Sequence, residues 1–264
     1  MAHDDGCERR LATATALANA HGAYLIGLFT KSPFMTPAPI VGRGASAAFL
    51  RELDAGLREQ EQDVKGAFDR VTKASSISAE WLRHEGDIAE GLAFHSHIAD
   101  LLVVSQTPPE TVADIVSGTR PDQTMLLAGC GTLIVPHGIG PAEVGKRVLI
   151  AWTRTREAAR AVHAALPILK AAPSVTILTS RSSRQRPGEV VRAHLARHGV
   201  KADVRADYGD NDEPGEVILG HAHELSADLI VMGAYGHSRL REMVLGGTTQ
   251  HILSRATVPI LMSH

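Results

Sequence analysis

Residues 86–104, GDIAEGLAFHSHIADLLVV, return as residues 215–232, GEVILGHAHELSADLIVM, and residues 131–136, GTLIVP, return as residues 258–263, VPILMS. A pattern that recurs in the same order within 264 residues implies two copies of one domain rather than a single larger core. The loop-forming cluster Gly138-Ile139-Gly140-Pro141 is the seam. The expected domains are therefore 1–138 and 145–264.

Hydrophobic spacing sets the type of each element in the second copy. Residues 147–152 and 174–179 are short apolar runs that predict buried strands. Residues 156–171 place Ala158, Val162, Leu166 and Leu169 on one helical face. A second helix is predicted over 187–199, with Val191, Leu195 and His198 inward, and a third over 215–225, with Val217, Ile218, Ala222 and Leu225 inward. Strand-like runs follow at 202–206, after Asp228 and at 259–262. Strands separated by helices make parallel βαβ units, so the predicted fold class is α/β, doubly wound. The first copy repeats this order, with a Pro/Gly loop over 34–44 and a long amphipathic helix over about 46–73.

Composition narrows the function classes. Twenty-seven Lys and Arg against 29 Asp and Glu, with no basic run, argue against a nucleic-acid partner. Cys7 and Cys130 are too few for a disulfide framework, and no apolar run reaches membrane-spanning length. A cytoplasmic protein with no membrane partner is expected. His95 with His97, and His221 with His223, fall at i,i+2 on predicted helices and diverge, so no metal site is expected. Neither a G-x-S-x-G elbow nor a G-x4-G-K-(S/T) loop is present, so no catalytic residue is assigned.

The apolar run ending at Met232 leads into Gly233 and Gly236, after which nine residues separate Gly236 from Gly246 and Gly247. Glycines after a buried strand let a polyanion approach the backbone, and Thr248 and Thr249 stand where a helix N-cap is expected. This spacing resembles the G-x2-G-x9-G-(S/T) signature of the universal stress protein family, and the tandem, two-domain type resembles the chain over nearly its whole length. The resemblance implies two parallel five-stranded sheets, a stress-response role without turnover chemistry, and ATP or AMP as ligand of the second domain. Its site would comprise Thr153, Met232, Gly233, Gly236, His237, Gly246, Gly247, Thr248 and Thr249. A homodimer or another protein partner stays open.

Two departures from the family pattern bear on the site. The acidic residue that follows the first strand in ATP-binding members is Thr153 here, and the Ser or Thr after the third motif glycine is Gly247. Backbone amides would then carry the phosphate contacts. A structural origin of the glycines, as helix cap and loop formers in a nucleotide-free interaction module, is the competing reading. An ATP hydrolase or nucleotidyl-transferring relative is a further one, although Asp228 stands at the wrong end of its strand to serve it.

The first copy is degenerate. Where the second has Met232-Gly233-Ala234-Tyr235-Gly236, it has Val104-Ser105-Gln106-Thr107-Pro108-Pro109, and prolines cannot form a nest of amides. Asp4-Asp5-Gly6 resembles the loop after the family's central strand, yet only Met1, Ala2 and His3 precede it. The first domain is expected to lack its first strand, which either a segment upstream or another element would replace.

Overall fold

The computed structural model describes residues 6–31, 47–106, 121–137, 144–181, 186–208, 213–234 and 247–264. They form helices α1 (Cys7–His21), α2 (Ala47–Ser75), α3 (Ile88–Ser96), α4 (Pro121–Leu127), α5 (Arg156–Ala171), α6 (Pro187–Arg197), α7 (Pro214–Glu224) and α8 (Gly247–Arg255). The strands are β1 (Leu25–Lys31), β2 (Ala79–Glu85), β3 (Leu101–Ser105), β4 (Gly131–Val135), β5 (Arg147–Ala151), β6 (Ser174–Ser180), β7 (Asp203–Tyr208), β8 (Leu229–Gly233) and β9 (Ile260–Ser263). The fold is α/β with predominantly parallel pairing.

The second copy builds a complete five-stranded parallel sheet in the order β7-β6-β5-β8-β9. Strand β5 is its centre, with Val148 opposite Val175 on one side and Leu229 on the other. Parallel strands covered on both faces need continuous apolar runs. Accordingly Leu149, Ile177, Leu229, Ile230, Val231 and Leu261 are all fully buried. Helix α5 covers β8 and β9 with Ala158, Ala161, Val162, Ala165 and Leu169, whose mostly small side chains permit close helix-to-sheet approach. Its observed span is the predicted one, and Leu166 of its predicted face is only half-buried. Helices α6 and α7 each start on a proline, a residue whose fixed φ suits a first turn and whose missing N–H costs nothing there.

The start of β5 is held by a clamp from β8. The carboxylate of Asp228, buried just ahead of β8, accepts from the amides of Gly145 (2.9 Å), Lys146 (3.0 Å) and Arg147 (3.1 Å), and its own amide donates to Arg147 O at 2.9 Å. Three converging donors satisfy an anion that would otherwise be costly to bury. Asp228 therefore sits at the amino end of its strand as a structural group.

The first copy does not close a sheet among the described residues. Strands β1 and β2 pair in parallel as a two-stranded sheet, while β3 and β4 pair in parallel and join the sheet of the second copy through β4 and β9, which run antiparallel. The expected boundary at residue 138 thus differs from the compact units. One holds residues 1–98, 107–129 and 137–141, and the other holds 99–106, 130–136 and 142–264. In the first unit the core forms around β1 and β2, where Trp81 stacks on Phe29 (centroids 6.3 Å apart) and tilts against Phe68 of α2 (5.4 Å).

Several local expectations need correction. His198 is not an inward helical residue but the exposed C-cap of α6, because the helix ends at Arg197 and Gly199 takes a left-handed φ of 82°. Val217 and Leu225 are half-buried, and His221 takes the inward place, with its Nε2 2.7 Å from Asp207. His97 caps α3 instead of lying within it. The loop over 34–44 and the seam from Gly138 to Pro141 lie outside the described residues.

Replacing Asp228 with Ala leaves three part-buried amides at the head of β5 without that acceptor. It is expected to destabilise the protein by about 3 kcal/mol, and Asp228→Asn by less, since one carbonyl oxygen survives. Urea unfolding at unchanged m-value measures both; a midpoint for the alanine variant equal to the parent's would show that the clamp contributes nothing.

Candidate functional site

The order of the complete sheet creates a switch point. From β5 the chain crosses to β6, and from β8 it crosses the other way to β9, so the connections leave the carboxyl ends of two adjacent strands in opposite directions. Crevices of that kind are where open α/β sheets take ligands. Ala151 and Met232 are register partners, which brings the segment after β5 and the end of β8 side by side.

Thr153 lies in the segment after β5, exposed, with its hydroxyl 3.3 Å from that of Thr155. Thr155 adopts an extended conformation (φ −115°, ψ 158°) and its Oγ1 accepts from the amide of Ala158 at 3.2 Å, which starts α5. A β-branched hydroxyl residue there satisfies one of the donors that a helix start leaves open. Met232 is buried in β8 between Ala151 and Met262. The motif thus begins where the sequence places it, at a strand end beside a capped helix.

The glycines divide into two kinds. A Cβ on Gly233 would stand 2.4 Å from the amide nitrogen of Ala158 and 2.8 Å from the carbonyl carbon of Glu157, both backbone atoms of the first turn of α5. Gly233 is therefore required by packing of helix against strand. Gly247 is different: a Cβ there meets nothing within 4 Å, and its residue is exposed at the first position of α8. Thr248 is half-buried and Thr249 buried within the first turn of α8, so both lie inside the helix and not at the N-cap. Gly236, His237 and Gly246 lie outside the described residues.

One charged residue at this end of the sheet was not singled out from the sequence. Glu157, in the first turn of α5, is buried, and Arg156 donates to its Oε1 at 2.5 Å. Burial alone would raise its carboxyl, but the hydrogen bond from Arg156, its own amide and the nearby charges of Arg156 and His264 outweigh that and hold it below the ordinary glutamate value. The available signal was Thr155 followed by an acidic residue in the first turn, a helix-start pattern. Because its charge is already committed to Arg156, Glu157 does not replace the carboxylate that Thr153 lacks.

The Cys130 thiol is pushed up to about 11, chiefly by burial, and is not a thiolate near neutrality. Among the described residues no group of three or more His, Cys, Asp or Glu is placed to hold a metal, and no helix is long and apolar enough to cross a membrane.

Comparison with known proteins agrees with this geometry. Residues 145–264 match the model of the universal stress protein family. They belong to that family. A universal stress protein of Synechocystis is 41% identical over 67 residues, 25% of this chain and 22% of its own length. The universal stress protein YxiE of Bacillus subtilis is 36% identical over 74 residues, 28% of this chain and 48% of its own length. The chain spans less than half the length of these relatives. Among solved structures, a universal stress protein from Archaeoglobus fulgidus aligns over 96% of this chain and 90% of its own at a TM-score of 0.73 and 17% identity, which shows a shared fold.

Two outcomes follow. Gly233→Ala should destabilise by about 1–3 kcal/mol, since the new methyl meets backbone that cannot rotate away; thermal and urea unfolding check this, and parental stability would mean that α5 shifts freely. For Glu157, a carboxyl lowered in the folded state contributes stability above the ordinary value of 4.5 and loses it as pH falls below that. Glu157→Gln should therefore show a shallower loss of stability than the parent on acidification from about that pH, measured as unfolding midpoints against pH.

Proposed function

We propose that residues 145–264 bind an adenine nucleotide, ATP or AMP, at the carboxyl ends of β5 and β8. In this reading the chain acts as a cytoplasmic stress-response protein of the tandem type, without turnover chemistry of its own. Its first copy, residues 1–138, is a degenerate domain that contributes packing or an interface. The observation that carries the proposal is Gly247. No neighbour in the described structure requires a glycine there, so the missing side chain is best explained by a group that approaches the start of α8 from outside. A phosphate at a helix start meets unpaired amides and the positive end of the helix dipole. Thr153 would face the ribose, while Met232 and Gly233 would form the floor. Gly236, His237, Gly246, Thr248 and Thr249 would complete the phosphate loop. That Asp228 is engaged at the opposite end of β8 fits binding without hydrolysis.

A second reading, a nucleotide-free interaction module, is favoured by Gly233, whose glycine is fully accounted for by packing against α5.

Calorimetry with ATP and AMP separates the two. One site per chain is expected. Gly236→Val and Gly246→Val should abolish binding, and Thr153→Ala should have little effect. Thr153→Asp, which restores the family's acidic side chain, should tighten binding by about 1–2 kcal/mol. If both valine variants fold and bind as the parent does, or if the parent takes up no nucleotide, the interaction module is the better account.

A further inference from the structure

Strands β3 and β8 end the two recurring segments of the sequence, and the chain leaves them in equivalent ways. After β8 the amide of Ala234 donates to Ser263 O at the end of β9 (3.0 Å), and after β3 the amide of Gln106 donates to Val135 O at the end of β4 (2.8 Å). The side chains differ. Ala234 carries only a methyl group, whereas Gln106 donates from Nε2 to the carbonyl oxygen of Leu253 in α8 at 2.6 Å, across 147 residues of chain.

The sheet brings these residues together. Strand β4 runs antiparallel to β9, with Ile134 opposite Ile260, so the carboxyl end of the β3–β4 pair lies beside the amino end of β9, just beyond the end of α8. Leu253 belongs to the last turn of α8, whose carbonyls have no donor from within the helix. Ile252 O takes the amide of Ala256 at 2.9 Å, and Leu253 O takes Gln106. A second polar tie of α8, Arg255 to Glu216 of α7 at 2.6 Å, joins two side chains that are each more than half exposed, a setting in which an ion pair contributes little. The Gln106 bond is part-buried and grips the helix backbone itself.

We infer that Gln106 is a positioning residue for the start of α8: by holding the last turn of the helix it sets the direction of the backbone donors in the first. The inference rests on the reading that a nucleotide phosphate docks at that start. Leu253 and Gly247 are only about 9 Å apart along the helix axis, so a restraint on one end of so short a rod bears on the other. A site built from backbone amides is sensitive to such a restraint, because a hydrogen bond weakens steeply once the donor turns away from its acceptor. The segment after β3, which has no glycine pair of its own, thereby serves the ligand of residues 145–264 without touching it.

The test compares the full chain with two variants. Gln106→Met keeps the length of the side chain without a donor, and Gln106→Glu keeps its shape but sets a carboxylate against the Leu253 carbonyl. Calorimetry with ATP and AMP, well below the melting temperature, should show Kd raised about two- to tenfold in Gln106→Met, the range of one hydrogen bond, and more in Gln106→Glu. Amide hydrogen exchange at residues 251–255 should quicken in the same order, with the amides of β5 unchanged. A bond that only stabilises the fold would lower the melting temperature and leave Kd where it is. A parental Kd in both variants therefore overturns the inference, whatever exchange and melting show. A parent that takes up neither nucleotide removes the reading on which the inference rests, and the inference with it.

Discussion

A parallel sheet depends on its central strand, because that strand is the one element whose hydrogen bonds and side chains are needed on both sides at once. In residues 145–264 this is β5, bonded to β6 and β8 and buried from Val148 to Ala151. With it, five strands close into one sheet with a switch point. The described strands of the first part of the chain pair β1 with β2 and β3 with β4, and the second pair joins this sheet through the antiparallel contact of β4 with β9.

The strand is fixed at both ends by different physics. At its amino end the Asp228 carboxylate gathers three consecutive amides, an electrostatic clamp that also ties β5 to β8 in register. At its carboxyl end, the hydroxyl of Thr155 starts α5, and the bare backbone of Gly233 lets the first turn of that helix sit against β8. The candidate site is thus a by-product of tight packing: the contact that excludes a side chain at Gly233 also defines the floor on which a ligand would rest.

Among the described residues near this floor, the buried carboxylate is already paired. Glu157 is held ionised by Arg156 and by its own amide, and Asp228 is spent at the far end of the strand. In the proposed reading an anion would meet the amides at the start of α8, where a Cβ on Gly247 would touch nothing within 4 Å among the described residues. A site made of backbone donors depends on loop geometry more than on side-chain identity, so substitutions that add bulk matter there more than substitutions that remove charge.

Much of this was legible in the residues themselves. Alternation of apolar runs with helical faces placed α5 over its observed span and the strands of the second copy within a residue or two. The glycine spacing pointed to the end of β8. These signals are local, since periodicity and turn chemistry act over a few residues. Only the tertiary structure decided where the orphaned strands go, because pairing of β4 with β9 is a contact between residues over a hundred positions apart that no local pattern encodes. It likewise decided that Gly233 serves packing while Gly247 faces open space, and that Glu157 is buried: each depends on which backbone happens to lie within a few ångströms, a property of the assembled sheet and not of the neighbouring letters.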